Sequence, residues 1–112
     1  MKRGDIVYAD LNPTVGSETN KKRPVLVVSN NANNKAASTV TVLPITSKIV
    51  KVYPFEVLLD PKKTGLPKAS KVQCQQIRTI SKQRIIGSSL GKIDSKTFLE
   101  IERALKLHLD IE

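Results

Sequence analysis

Gly16-Ser17-Glu18-Thr19-Asn20-Lys21-Lys22-Arg23-Pro24 runs directly into Val25-Leu26-Val27-Val28-Ser29. The second half is a nearly continuous apolar, β-branched run, which predicts a strand buried on both faces. Pro24 suits the start of such a strand, because it cannot donate to the ladder. The first half is polar loop with Gly16 as its flexible point, and it closes on three consecutive cations. The third of them, Arg23, therefore stands at the mouth of a rigid element beside a basic surface. A guanidinium held there is suited to gripping a phosphate.

Further strands flank this one. Ile6-Val7-Tyr8-Ala9-Asp10-Leu11 reads as a strand ended by Asn12-Pro13-Thr14. Asn30 to Ser38 has the composition of a loop. Val40 to Thr46 is a strand edged or interrupted by Pro44, and Phe55 to Leu59 is another. Asp60 to Pro67 is a turn-rich connection. Lys71 to Ile80 alternates through Val72 and Cys74, then shifts phase to Ile77 and Ile80, which predicts a bulge or bend at Gln75-Gln76. Ile85 to Ile93 holds a short strand and a turn. The final segment differs in kind. Asp94 or Ser95 can cap a helix, Thr97 and Glu100 have capping-box spacing, and Phe98, Ile101, Leu105 and Leu109 recur at helical intervals. The expected fold is mainly β (α+β): one domain over residues 1–112, a small SH3-like curled antiparallel barrel with a C-terminal helix.

The chain carries 19 Lys and Arg against 10 Asp and Glu, a net charge of +9. Residues 1–93 hold 16 of the cations and 5 of the carboxylates, so the positive charge lies on the body and the C-terminal segment is mildly acidic. Such a surface favours polyanions through counterion release and steering. No apolar run approaches the ~18 residues of a membrane span, and no apolar segment follows the basic N-terminus as a signal peptide would require. Cys74 is the lone cysteine, which excludes an intramolecular disulfide and fits a reducing cytoplasm.

Several chemistries are short of residues. His108 is the single histidine, so a two-histidine acid–base pair cannot form within one chain. One Cys and one His fall short of a structural zinc site, which takes four ligands. Asp5 and Asp10 point to opposite faces of their strand, and no convergent carboxylates suggest a two-metal nuclease. Neither Gly87 nor Gly91 is followed by the Lys-Ser/Thr of a phosphate loop. Arginine, lysines, hydroxyls and amides remain. That set suits cleavage of RNA, which brings its own 2′-hydroxyl nucleophile and needs alignment and charge stabilisation. DNA, without the 2′-hydroxyl, is at best a ligand.

Six segments, in order and at compatible spacing, resemble the MazF/PemK family of toxin endoribonucleases. They are Arg3 to Pro13, Gly16-Ser17-Glu18, Arg23 to Asn30, Pro44-Ile45-Thr46, Tyr53 to Val57, and Gln76 to Arg84. The resemblance implies a homodimer that cuts single-stranded mRNA at specific sequences without metal or other cofactor, leaving a 2′,3′-cyclic phosphate and a 5′-hydroxyl. It implies a cognate antitoxin with an acidic C-terminal tail that blocks the RNA groove, and operator DNA binding by the toxin–antitoxin complex. It places the family's catalytic Arg on Arg23, its catalytic Thr on Thr46, its loop Ser on Ser17 and an RNA-contacting Gln on Gln76.

The physical chemistry of these residues refines the roles. A guanidinium pKa above about 12 makes Arg23 first an electrostatic stabiliser of the transition state, before any general-acid role. Lys21 and Lys22 are expected to steer and hold phosphates. Glu18 either accepts the 2′-hydroxyl proton or pairs with Lys21 or Lys22, pairing being the plainer expectation. Only one of Gln75 and Gln76 can face the groove, and Gln76 is the choice. Cys74 reads as core. Two other classes stay open: a non-catalytic gyrase poison of the same fold, such as CcdB, and a nucleic-acid-binding barrel without activity.

Overall fold

The run from Val25 to Val27 is apolar at every position because the sheet it belongs to has a core on each side. A computed structural model of the chain describes residues 1–112. Its strands are β1 (Asp5–Asp10), β2 (Lys22–Val27), β3 (Thr39–Thr46), β4 (Glu56–Leu59), β5 (Ser70–Gln73), β6 (Arg78–Ser81) and β7 (Ile85–Lys92). The helices are α1 (Asn31–Ala36), α2 (Pro61–Thr64) and α3 (Ser95–Leu109). Every strand pairing is antiparallel. The order across the sheet is β4-β5-β3-β2-β1-β7, with β6 also paired to β3.

β3 is the strand on which the sheet turns. Its first half, Thr39 to Val42, pairs with β6, and its last residues, Ile45 and Thr46, pair with Val72 and Lys71 of β5. Residues 71–80 are therefore two strands with different partners along β3. The phase shift seen in the sequence is a 3₁₀ turn at Cys74–Gln76 that separates them. The sheet curls but does not close, since β4 and β7 remain its ends.

Alternate residues along the central strands point to opposite cores, as strand geometry requires. Ile6, Leu26, Leu43 and Ile45 join Val57, Val72 and Cys74 in one cluster, with Ile101 and Ala104 of α3. Val7, Ala9, Val25, Val27, Val40 and Val42 join Leu11 and Ile80 in the other. Phe98 and Leu105 of α3 pack against the first cluster. Leu109, expected in the same stripe, is exposed. The cap of α3 is Asp94, whose carboxylate accepts from the Thr97 amide at 2.7 Å. The side-chain and backbone hydrogen bonds of Thr97 hold its pKa below the usual carboxylate value.

Two connections expected as loops are helical. Asn30 to Ser38 contains α1, because the Asn30 side chain accepts from the Asn33 amide at 2.8 Å and starts a turn. Asp60 does the same for α2 through Lys62 at 2.9 Å, with Pro61 at the first helical position and Gly65 left-handed at the end. Segment 85–92 is one continuous strand, β7. Its Gly91 is compulsory: a Cβ there would lie 2.0 Å from the Thr64 carbonyl oxygen.

Below the 47–54 connection lies a buried ion pair. Lys71 Nζ stands 2.8 Å from Glu56 Oε1, with the Glu56 side chain 1% exposed. The same ammonium donates to the Lys51 carbonyl at 2.6 Å, while Glu56 accepts from the Tyr53 amide at 3.0 Å and from Gln75 Nε2 at 2.8 Å. The pair thus ties the connection down at both Lys51 and Tyr53. Burial alone would raise the Glu56 pKa. Hydrogen bonds from Gln75, Lys71 and the Tyr53 backbone, with the Lys71 charge, outweigh it and hold the carboxyl below its usual range.

Removing one partner of such a pair strands the other in the core. Glu56→Ala is expected to cost about 3–5 kcal/mol in urea unfolding. A lowered folded-state pKa adds stability that is present above the unfolded value near ~4.3 and lost as pH falls through the folded one. The urea midpoint should therefore drop as pH falls below about 5, and Glu56→Gln should flatten that part of the profile.

Candidate functional site

Antiparallel register brings Arg23 and Thr46 together. Val27 pairs with Val42, Leu26 with Leu43, and Val25 with Pro44. Continued two residues, that register sets Arg23 opposite Thr46 on the same face. Pairing stops at Val25 and Pro44, where prolines follow: neither Pro24 nor Pro44 has an N–H to give the ladder. Beyond that point a cleft of about 550 Å³ opens.

Arg23 and Thr46 both line the cleft, with Lys21, Lys48 and Lys68. Thr19, Asn20, Ser47, Ser70 and Gln73 add hydroxyls and amides. The lining thus carries four cations and no carboxylate. Arg23 Nε donates to the Asn20 carbonyl at 2.6 Å, which fixes the guanidinium by its inner nitrogen and leaves the terminal pair for a ligand. Thr46 is 8% exposed, and its hydroxyl oxygen accepts from the Lys48 amide at 3.2 Å. Its own proton is then free to donate into the cleft. Lys21 has a left-handed backbone, φ 72°. Its amide donates to Asn12 Oδ1 at 3.2 Å and its carbonyl accepts from Leu11, so the turn is held from both sides.

The loop before Lys21 is strapped to the sheet by glutamines. Thr19 Oγ1 donates to Gln73 Oε1 at 2.7 Å, the Thr19 amide donates to Gln76 Oε1 at 3.2 Å, and Gln76 Nε2 donates to the Ser17 carbonyl at 3.3 Å. Gln76 therefore spends both ends of its amide on the loop. It lies with Glu18 and Gln75 around a smaller hollow of about 130 Å³, outside the main cleft. Gln73 is the glutamine that lines the cleft. Gln76 therefore lies outside this cleft, because the 3₁₀ turn carries Gln75 and Gln76 away from the line of β5.

Three other expected residues are also placed elsewhere. Glu18 makes no ion pair with Lys21 or Lys22, and its carboxylate instead accepts from the Val15 amide at 2.8 Å, closing its own turn. Lys22 pairs with Asp10 in the β1–β2 register and does not line the cleft, and neither does Ser17. Lys48 and Lys68, which do, were hidden by their isolation in the sequence. Their shared feature is spatial, since both follow the ends of strands or turns that meet at the Pro24–Pro44 break.

No group of three or more His, Cys, Asp or Glu residues stands together as a metal site would need. Cys74 is buried, and burial together with the Glu56 charge pushes its thiol up to about 12, so it stays protonated near neutrality. His108 packs its ring 6.0 Å from Phe55, away from the cleft. What the cleft offers is a guanidinium held at Nε, a hydroxyl and three ammonium groups. That set can bind a phosphodiester and stabilise charge growing on its oxygens.

Known proteins share both the sequence and the fold. The chain is 44% identical to Endoribonuclease MazF9 of Mycobacterium tuberculosis, over 99% of this chain and 98% of that protein. It is 39% identical to Endoribonuclease EndoA of Bacillus subtilis, over 97% and 94%. The crystal structure of MazF from Deinococcus radiodurans superposes with a TM-score of 0.85 at 25% identity, covering 98% of this chain and 96% of that one. A mycobacterial endoribonuclease solved with its cognate antitoxin superposes at 0.81 and 27% identity, covering 100% and 97%. Residues 2–109 match the family described as PemK-like, MazF-like toxins. With a matching fold and relatives above one-third identity along the whole chain, this protein belongs to the PemK-like, MazF-like toxins of type II toxin–antitoxin systems.

Proposed function

We propose that the chain is a toxin endoribonuclease that cuts single-stranded mRNA at specific sequences without a metal ion. The observation that carries this reading is that Arg23 and Thr46 line one cleft that holds four cations and no carboxylate. In the reaction, the 2′-hydroxyl oxygen attacks phosphorus, the bond to the 5′-oxygen breaks, and the products are a 2′,3′-cyclic phosphate and a 5′-hydroxyl. The free nitrogens of Arg23 grip two phosphate oxygens and match the charge that builds in the transition state. Thr46 donates a further hydrogen bond. Lys21, Lys48 and Lys68 hold the flanking phosphates. Relatives named as endoribonucleases and a net charge of +9 support the same reading.

The partners follow from that chemistry. The working unit is a homodimer. A cognate antitoxin with an acidic C-terminal tail complements the basic cleft and competes with RNA, and one fold neighbour was solved with its cognate antitoxin. The toxin–antitoxin complex binds operator DNA. Cleavage of mRNA places the activity in the cytoplasm.

Purified protein incubated with long RNA in EDTA should cut it. Arg23→Ala should lower the rate by about 100-fold or more, the scale of a lost oxyanion donor. Near-wild-type cleavage by that variant would remove Arg23 from the chemistry, and intact RNA with the wild-type chain would leave a non-catalytic toxin. For binding, replacing Lys21, Lys48 and Lys68 together by Ala should flatten the log–log salt slope by about 2, at ~0.7 per lost phosphate contact. Lys22→Ala should leave the slope unchanged.

A further inference from the structure

The 47–54 connection carries an aromatic pair that the cleft does not use. The rings of Tyr53 and Phe55 stack with centroids 5.5 Å apart and planes 11° from parallel. Tyr53 is 42% exposed, an unusual exposure for a stacked aromatic in a chain with only four Phe and Tyr residues. Two ammonium groups flank it: Lys51 Nζ lies 5.1 Å from the ring centroid and Lys71 Nζ lies 5.9 Å from it. The backbone beneath is fixed. The Tyr53 amide donates to the buried Glu56 carboxylate, and the Glu56 amide donates back to the Tyr53 carbonyl at 2.9 Å.

We propose that Tyr53, backed by Phe55 and flanked by Lys51 and Lys71, is a stacking subsite for one base of single-stranded RNA. The inference rests on the endoribonuclease reading above and extends its substrate site beyond the cleft. Proteins that hold single strands combine a cationic track with an aromatic face, because every base has a π surface and every nucleotide a phosphate. Both parts are present here. The ring is immobilised in advance by its backbone bonds and by Phe55, so binding does not have to order it. Lys51 is exposed, so its flexible stem can swing off the ring onto a phosphate when a base arrives. The subsite is also in the right place. Lys71, whose ammonium flanks the ring, is the register partner of the cleft residue Thr46 across β3 and β5.

Charge favours this occupant over a second copy of the chain. Lys48 and Lys51 sit within the same connection, and beneath them the Lys71 ammonium and the Glu56 carboxylate cancel each other. A like-charged copy would bring the two uncompensated lysines together with their counterparts, whereas a phosphate backbone would pair them.

The test uses the cleavage-deficient Arg23→Ala chain and a fluorescein-labelled pool of short, randomised single-stranded RNA, read by anisotropy. Adding Tyr53→Ala should weaken binding by about 5- to 100-fold, the range for a lost base–aromatic stack. Tyr53→Phe and Tyr53→Trp should bind within about threefold of the parent, since both keep the π face. Tyr53→Leu, which keeps apolar bulk without that face, should bind as poorly as Tyr53→Ala. Thermal melting of each variant separates this loss from unfolding. Unchanged affinity in Tyr53→Ala, or full affinity in Tyr53→Leu, would overturn the subsite while wild-type cleavage leaves the enzyme reading standing. A Tyr53→Ala chain that keeps RNA affinity but changes its oligomeric state by size-exclusion chromatography would make the ring a protein contact and overturn it equally. Wild-type chain that neither binds nor cuts RNA would overturn both readings together.

Discussion

The cleft depends on one register. Val25 sits opposite Pro44, and Arg23 and Thr46 line the cleft that opens beyond that pair. A slip of one residue would turn every side chain of β2 to the other face of the sheet. Two packed cores forbid the slip, because Leu26 belongs to one and Val25 and Val27 to the other. The apolar run therefore does more than fill space. It locks the phase of the strand, and the phase aims the guanidinium. The prolines then act where the lock ends. By withholding two donors they stop the ladder and let the strands part around a polar opening.

A second constraint acts on the 47–54 connection. The Glu56–Lys71 pair stabilises no hydrophobic surface and takes two charges out of water, which makes it a costly way to gain stability. Its partners explain its use. One ammonium and one carboxylate reach the Lys51 carbonyl and the Tyr53 amide, so a connection with little secondary structure is pinned at two points.

The sequence showed most of the strands because their signals are local. Ile6 to Asp10, Val40 to Thr46 and Glu56 to Leu59 each carry their own β-branched pattern and end at their own breakers. The amphipathic C-terminal helix was equally plain. The helices α1 and α2 were missed because their whole signal is one capping side chain each, Asn30 and Asp60, within segments of loop composition. At the candidate site, Arg23 is marked by the apolar run it precedes and Thr46 only by the family resemblance; both line the cleft. Lys48, Lys68 and Gln73 carry no such mark, since nothing local distinguishes a lysine in a cleft from one in solvent. The place of Gln76 outside the cleft has the same root. A bend was visible in the sequence, but the direction in which it turned two glutamines depends on how β5 and β6 divide β3 between them.

The left-handed backbone at Lys21 has a consequence for how the chain can change. A side chain with a Cβ adopts φ 72° at a cost of about 1 kcal/mol or more, and glycine does not. Glycine at position 21 would relax the turn, yet it would also take one cation from the cleft. With the proposed role of Lys21 in holding phosphate, position 21 is a place where folding stability and substrate capture pull against each other. Selection for folding stability alone would favour glycine or asparagine there.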